Sequence, residues 1–169
     1  MDIRRPVPED APEMRDTWVR AWRAGHESAL SAAALGAVDL EPTDEDLQRW
    51  RDRIETRRDR HLVADDDGVV GYAAVRWAET KPFVGDDEAG LKELYVHPDR
   101  WGEGVGGELL GRGLATLPDG VEAVVLETLD GNDRAAGFYE ARGFRRVGGR
   151  TVEVAGGQYS VLVYRRPLG

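Results

Sequence analysis

Apolar residues recur along the chain with two periods, and the change between them outlines the elements. Ile3 and Val7 flank a short first strand that ends before Pro8. Met14, Trp18, Ala21 and Trp22 then repeat at helical spacing, which predicts an amphipathic helix from about 11 to 24 with Pro12 in its first turn. Residues 25 to 42 are small and weakly periodic, and read as a loop or irregular helix. Thr43 followed by Asp46 is a capping pattern; Leu47, Trp50 and Ile54 carry a second helix to about 58. The period then shortens. Residues 61–64 and 69–77 read as two strands of a hairpin around Asp65-Asp66-Asp67-Gly68, and 91–96 as a third strand closed by His97-Pro98. Leu109, Leu110, Leu114 and Leu117 mark a helix from about 105 to 117, stopped by Pro118-Asp119-Gly120. A strand at 121–128, a helix at 133–142 capped by Gly143, and a hairpin of 144–154 with 159–164 across Gly156-Gly157 complete the chain. The order β-α-α-β-β-β-α-β-α-β-β, with no repeat or linker, predicts one α/β domain over 1–169 with a mixed sheet.

Composition narrows the function classes. The 169 residues suffice for one core, and the 41% hydrophobic content is that of a globular chain. No apolar run approaches about 18 residues and the N-terminus has no signal-peptide core, so the expectation is a cytoplasmic protein that does not enter the membrane. There is no cysteine, and His26, His61 and His97 are isolated, so neither thiolate chemistry nor a metal site is expected. A net charge of −9 argues against a nucleic-acid partner. Lysine occurs only at Lys81 and Lys92; all other basic residues are arginine. High acid with scarce lysine resembles the surfaces of proteins from a high-salt cytoplasm; arginine-favouring, GC-rich DNA is the other reading.

The candidate chemistry begins at Gly102-Glu103-Gly104-Val105-Gly106-Gly107, four glycines in six residues at the start of a helix. Glycine allows positive φ and close backbone approach, and a helix N-terminus offers unpaired N–H groups to an anion. Phosphate binding is the expectation. The spacing also satisfies G-x-G-x-x-G, with Glu127 20 residues beyond Gly107, close to a dinucleotide fingerprint. That reading is disfavoured, because His97 to Trp101 separate the loop from its strand and too little chain follows for further βα units. No lysine lies in the loop, which excludes a Walker motif.

With its flanks, Leu94-Tyr95-Val96-His97-Pro98-Asp99-Arg100-Trp101-Gly102-Glu103-Gly104-Val105-Gly106 resembles the GCN5-related N-acetyltransferase (GNAT) family. Asn132, Ala135, Phe138-Tyr139 and Gly143-Phe144 match that family's second pattern, N-x-x-A-x-x-F-Y-x-x-x-G-F, at every position. The one departure is Trp101, where the family usually carries Gln or Arg; Arg100 is displaced by one. The resemblance implies a mixed, mostly antiparallel central sheet with a splayed parallel strand pair, flanked by helices. It also implies transfer of an acetyl group from acetyl-coenzyme A to an amine, with no metal.

The same resemblance assigns roles. Backbone amides of Gly102, Glu103, Gly104, Val105, Gly106 and Gly107, beside Trp101, would hold the pyrophosphate of coenzyme A. Main-chain groups of Leu94 and Val96 would pair with the pantetheine arm, one N–H polarising the thioester carbonyl. Asn132 would bond the arm, and Tyr139 would protonate the departing thiolate. The family's usual amine-side Glu falls at Gly90 here, so Glu93 is the nearest substitute, with Glu127 and His26 behind it. His26 is also the candidate for the acceptor pocket. A small-molecule or peptide amine is the expected partner, a homodimer is left open, and a non-catalytic acyl-coenzyme A sensor or a transferase of longer acyl groups are the rivals.

Overall fold

A computed structural model describes residues 1–78 and 84–169. Lys81 therefore lies outside the described residues. The chain runs β1 (Asp2–Arg4), α1 (Ala11–His26), α2 (Ala32–Leu35), α3 (Asp44–Arg57), β2 (His61–Asp65), β3 (Val69–Arg76), β4 (Glu88–Val96), α4 (Val105–Ala115), β5 (Ala123–Leu129), α5 (Asp133–Glu140), β6 (Arg145–Val154) and β7 (Gly157–Pro167), with single 3-10 turns at Pro8–Asp10, Arg58–Arg60 and Pro98–Arg100. The strands form a seven-stranded sheet in the order β1-β2-β3-β4-β5-β7-β6. The β1/β2, β2/β3, β5/β7 and β6/β7 pairs are antiparallel, and β4/β5 is parallel. The parallel ladder joins only Glu88, Ala89 and Gly90 to Ala123, Val124 and Val125, although β4 is 9 residues long and β5 is 7.

The local rules behind the expected elements operate where anticipated. Thr43 Oγ1 accepts from Asp46 N and the Asp46 carboxylate accepts from Thr43 N, a reciprocal box that starts α3. Asp67 and Gly68 take φ of 57° and 124° in the β2–β3 turn, and Asp65 Oδ1 accepts from Gly68 N. Two features differ from expectation. A one-turn helix, α2, forms within the weakly periodic stretch because Ser31 caps it, its Oγ accepting from Ala34 N. β4 begins at Glu88 rather than 91, since its first residues join the β5 ladder despite lacking alternation.

Contacts gather the chain into two units. The first comprises Met1–Trp22, Asp39–Arg76 and Lys92–Leu117. Its core has two clusters. Met14, Ile54, Val63 and Tyr72, with Trp18, Trp50 and Tyr95 against them, lie on one side; Leu62, Ala64, Ala73, Val105 and Leu109, with Leu94 and Val96, lie on the other. Alternation along β2, β3 and β4 sends neighbouring residues to opposite clusters. Gly71 has no room for a side chain: a Cβ there would stand 3.1 Å from the Tyr95 carbonyl and 3.0 Å from Leu109. The second unit comprises Arg23–Val38, Trp77–Leu91 and Pro118–Gly169; its strands β5 and β7 bury Val124, Leu126, Leu162 and Tyr164.

Candidate functional site

Within the first unit, β4 delivers its end to the glycine loop. His97 N donates to the Val70 carbonyl at 2.8 Å, which fixes the strand end against β3. His97 Nδ1 accepts from Asp99 N, and Pro98 opens a 3-10 turn. The chain then folds back, and the Trp101 indole N–H donates to the Val96 carbonyl at 2.7 Å. Trp101 thus ties the loop to the strand, and Val96 has its carbonyl occupied. Arg100 is held by Asp66 at 2.8 Å and Glu103 at 2.9 Å. Those two carboxylates raise its already high basicity and neutralise it.

Beyond Trp101 the loop is built from backbone. Gly102 and Gly104 have φ of 82° and 86°, in the left-handed region that side chains resist. A Cβ at either would meet no atom within 4 Å, so conformation rather than crowding demands glycine here, and the ground beside the loop is open. Gly104 caps α4 without a side chain. The first amides of α4 have no intrahelical acceptor, and the helix dipole places partial positive charge among them. Val105, Leu109 and Leu110 are buried and anchor the helix. This set suits a phosphate.

Glu93, also in this unit, has a partner that sequence reading missed. Its Oε2 accepts from Arg53 Nη2 at 2.5 Å, and the Arg53 guanidinium lies 5.0 Å from the centroid of the Trp50 ring. Arg53 Nε in turn meets His61 Nε2 at 3.1 Å. Residues 53 and 93 are far apart in sequence and neither belongs to a motif, so nothing along the chain signalled the pair.

In the second unit, Asn132 caps α5, its Oδ1 accepting from Ala135 N at 3.2 Å. Its Nδ2 faces Gly25, 3.7 Å from where a Cβ would stand. His26, the last residue of α1, is buried and its carbonyl accepts from Ala29 N and Leu30 N. The unit therefore brings the end of α1 to Asn132. Tyr139 is 8% exposed, its ring edge-on to Phe138 at 5.2 Å and to Phe144 at 5.5 Å. Burial raises its hydroxyl well above the ordinary phenol range. That hydroxyl makes no hydrogen bond among the described residues, and it keeps its proton at neutral pH. Glu127 is held by both Arg150 Nη2 at 2.8 Å and Arg150 Nε, which occupies its two oxygens. No group of three His, Asp or Glu that could hold a metal occurs among the described residues, and none of their helices is long and apolar enough to cross a membrane.

A chain with this sheet, a parallel pair at its centre and a glycine loop opening α4 belongs to a recognisable class. The sequence profile of the acetyltransferase (GNAT) family matches residues 12–144. The protein is a member of that family, an acetyltransferase. Its fold matches ribosomal-protein-alanine N-acetyltransferase from Brucella melitensis at a TM-score of 0.70 and 23% identity, over 99% of this chain and 100% of that one. It matches PaiA N-acetyltransferase from Thermoplasma acidophilum, solved with coenzyme A, at 0.70 and 15% identity, over 99% and 98%. It also matches yncA, a putative acetyltransferase from Salmonella typhimurium solved with acetyl-coenzyme A, at 0.70 and 20% identity, over 100% and 94%. No curated protein matches the chain at a significant level.

Proposed function

We propose that this acetyltransferase moves an acetyl group from acetyl-coenzyme A to an amine in one direct step. The observation that carries the reading is the loop Gly102–Gly107: two left-handed glycines, open ground beside them, and the amide-rich start of α4 suit a pyrophosphate. Glu103, Val105, Gly106 and Gly107 contribute backbone amides; Trp101 braces the loop through Val96. The Val96 carbonyl being engaged, pairing with the pantetheine arm falls to the Leu94 main chain and the Val96 N–H. Asn132 keeps its Nδ2 hydrogens for the same arm while Oδ1 caps α5.

In the reaction the amine nitrogen bonds to the thioester carbonyl carbon, and the carbon–sulfur bond breaks. The acceptor ammonium first gives one proton up on the Glu93 side; Tyr139 then gives its proton to the departing thiolate, and the second nitrogen proton, shed as the amide forms, restores Tyr139. Glu93 Oε2 is taken by Arg53, which leaves Oε1 for the amine, directly or through water. Glu127 is not favoured, because Arg150 occupies both oxygens. His26 lies with Asn132 and contributes to acceptor selection. The reading takes the working protein to be cytoplasmic, and its acidic, lysine-poor surface to be an adaptation to salt.

The test is thiol release from acetyl-coenzyme A against a panel of amines, beside thermal shift with acetyl-coenzyme A and with NAD. Amine-dependent release, and stabilisation by the thioester alone, are expected. Stabilisation by NAD and not by the thioester would overturn the family's chemistry for this chain. Binding without release by any amine would make it a sensor.

A further inference from the structure

His61 opens β2 on the face that carries Glu93, and its hydrogen bonds fix its protonation. Nδ1 lies 2.7 Å from the Arg57 carbonyl. A carbonyl only accepts, so Nδ1 holds the proton and Nε2 presents a lone pair. Arg53 Nε donates to that lone pair, and Arg53 Nη2 donates to Glu93. The guanidinium is thereby gripped at two edges while its face rests on Trp50. Tyr72 stands behind, fully buried, its ring edge-on to Trp50 at 5.8 Å and its hydroxyl toward Glu93 and Arg53. His61 is itself buried, and that burial pushes its basicity below the ordinary imidazole range.

We propose that His61 is a positioning residue for Glu93, acting through Arg53: neutral His61 locks the guanidinium so that Glu93 presents Oε1 to the acceptor amine, and protonated His61 releases that lock. This rests on the reading of Glu93 given above. A proton on Nε2 would set N–H against N–H and cation against cation, and the Arg53 contact would open. The charges that act on His61 are Arg53 from α3 and Lys92 from β4, which oppose a proton, and Glu93 from β4, which favours one; Arg57 meets it through its backbone carbonyl, and Arg5 through the His61 carbonyl. Tyr72 on β3 is neutral. An added proton therefore meets Arg53 and Lys92, and the only favourable charge that acts on it among the described residues is the Glu93 carboxylate, which it would draw off the line Arg53 sets.

The experiment is kcat at saturating amine as a function of pH, with Kd for acetyl-coenzyme A measured alongside, for wild type, His61→Gln, His61→Leu and Glu93→Gln. Gln keeps an acceptor for Arg53 and does not titrate; Leu removes the acceptor. In the wild type, kcat is expected to fall more steeply with acid once His61 is protonated. That extra fall is expected to vanish in His61→Gln, which keeps near-wild-type kcat at neutral pH. His61→Leu is expected to lose about tenfold or more in kcat, a fraction of what a positioned proton acceptor supplies, with Kd unchanged. Identical pH profiles for wild type and His61→Gln overturn the proposal, as does a fully active His61→Leu. Should His61→Leu fail to fold, the His61→Gln profile decides alone. A fully active Glu93→Gln refutes the role of Glu93 and this proposal with it; an impaired Glu93→Gln beside indifferent His61 variants refutes only the proposal.

Discussion

Gly102 and Gly104 lie on an exposed loop whose left-handed backbone leaves open space beside it. Tyr139 lies on a short helix with its ring against Phe138 and Phe144 and its hydroxyl unbonded among the described residues. The loop offers backbone amides because it lacks side chains; the tyrosine stays neutral because it is buried, and no hydrogen bond among the described residues consumes its hydrogen. The proposed function thus assigns binding and proton donation to different chemical means in different segments, and substitutions should separate them.

The largest expected effect is at the loop. Gly104→Val forces a β-branched residue into a left-handed conformation, where it is a genuine outlier. The loop should rearrange and lose amide contacts worth about 1.5–3 kcal/mol each. Loss of two weakens acetyl-coenzyme A binding by about 10²–10⁴-fold, read by calorimetry on a protein whose circular dichroism is unchanged. Affinity equal to wild type would remove the loop from the site.

Asn132 sharpens the comparison because it caps α5 and the proposed function also gives it a part in binding. Asn132→Ala removes the α5 cap and should destabilise the protein by about 0.5–2 kcal/mol. Asn132→Asp keeps a capping oxygen and loses the Nδ2 donor, so it should hold its melting temperature and bind acetyl-coenzyme A more weakly. If Asp and Ala variants bind equally to wild type, Asn132 is a cap alone.

A smaller effect concerns pH. Burial, then Arg53, hold His61 below its ordinary basicity. The unfolded chain then binds a proton that the folded one refuses, so stability is complete above about 6.5, the unperturbed imidazole value, and falls as pH drops through the depressed folded value. Denaturant midpoints for His61→Gln should show a shallower decline over that acid range. An equal slope would place the acid sensitivity elsewhere. The smallest expected effect is of salt: if the acidic surface is an adaptation, the melting temperature rises from low to molar potassium chloride as repulsion is screened. A flat response would favour base composition as the origin of the scarce lysine.

Much of the scaffold was legible because its causes are local. Thr43 with Asp46, the Asp65–Gly68 turn, and Gly143 with φ of 88° act within a few residues, so spacing reveals them. The glycine loop was legible for the same reason, since what sets it apart is a local backbone conformation. What escaped notice depends on distant partners. The grip of Arg53 on Glu93 and His61, and the Trp101 bond that engages the Val96 carbonyl, arise only when strands and helices meet. α2 escaped for another reason: its single turn of small residues carries no periodicity, and its cap, Ser31, is one residue among many that could cap.

The most direct measurement is Tyr139→Phe, with kcat for a working amine under conditions where chemistry limits the rate and a separate Kd for acetyl-coenzyme A. The substitution deletes a hydroxyl that makes no hydrogen bond among the described residues and keeps the ring against Phe138 and Phe144, so folding and binding should be nearly untouched. General-acid assistance is worth about 10²–10⁴-fold, and an interaction made only in the transition state lowers kcat and leaves Kd alone. A loss of that size in kcat with unchanged Kd is the predicted result. A kcat within about twofold of wild type would contradict the account and make Tyr139 a core aromatic.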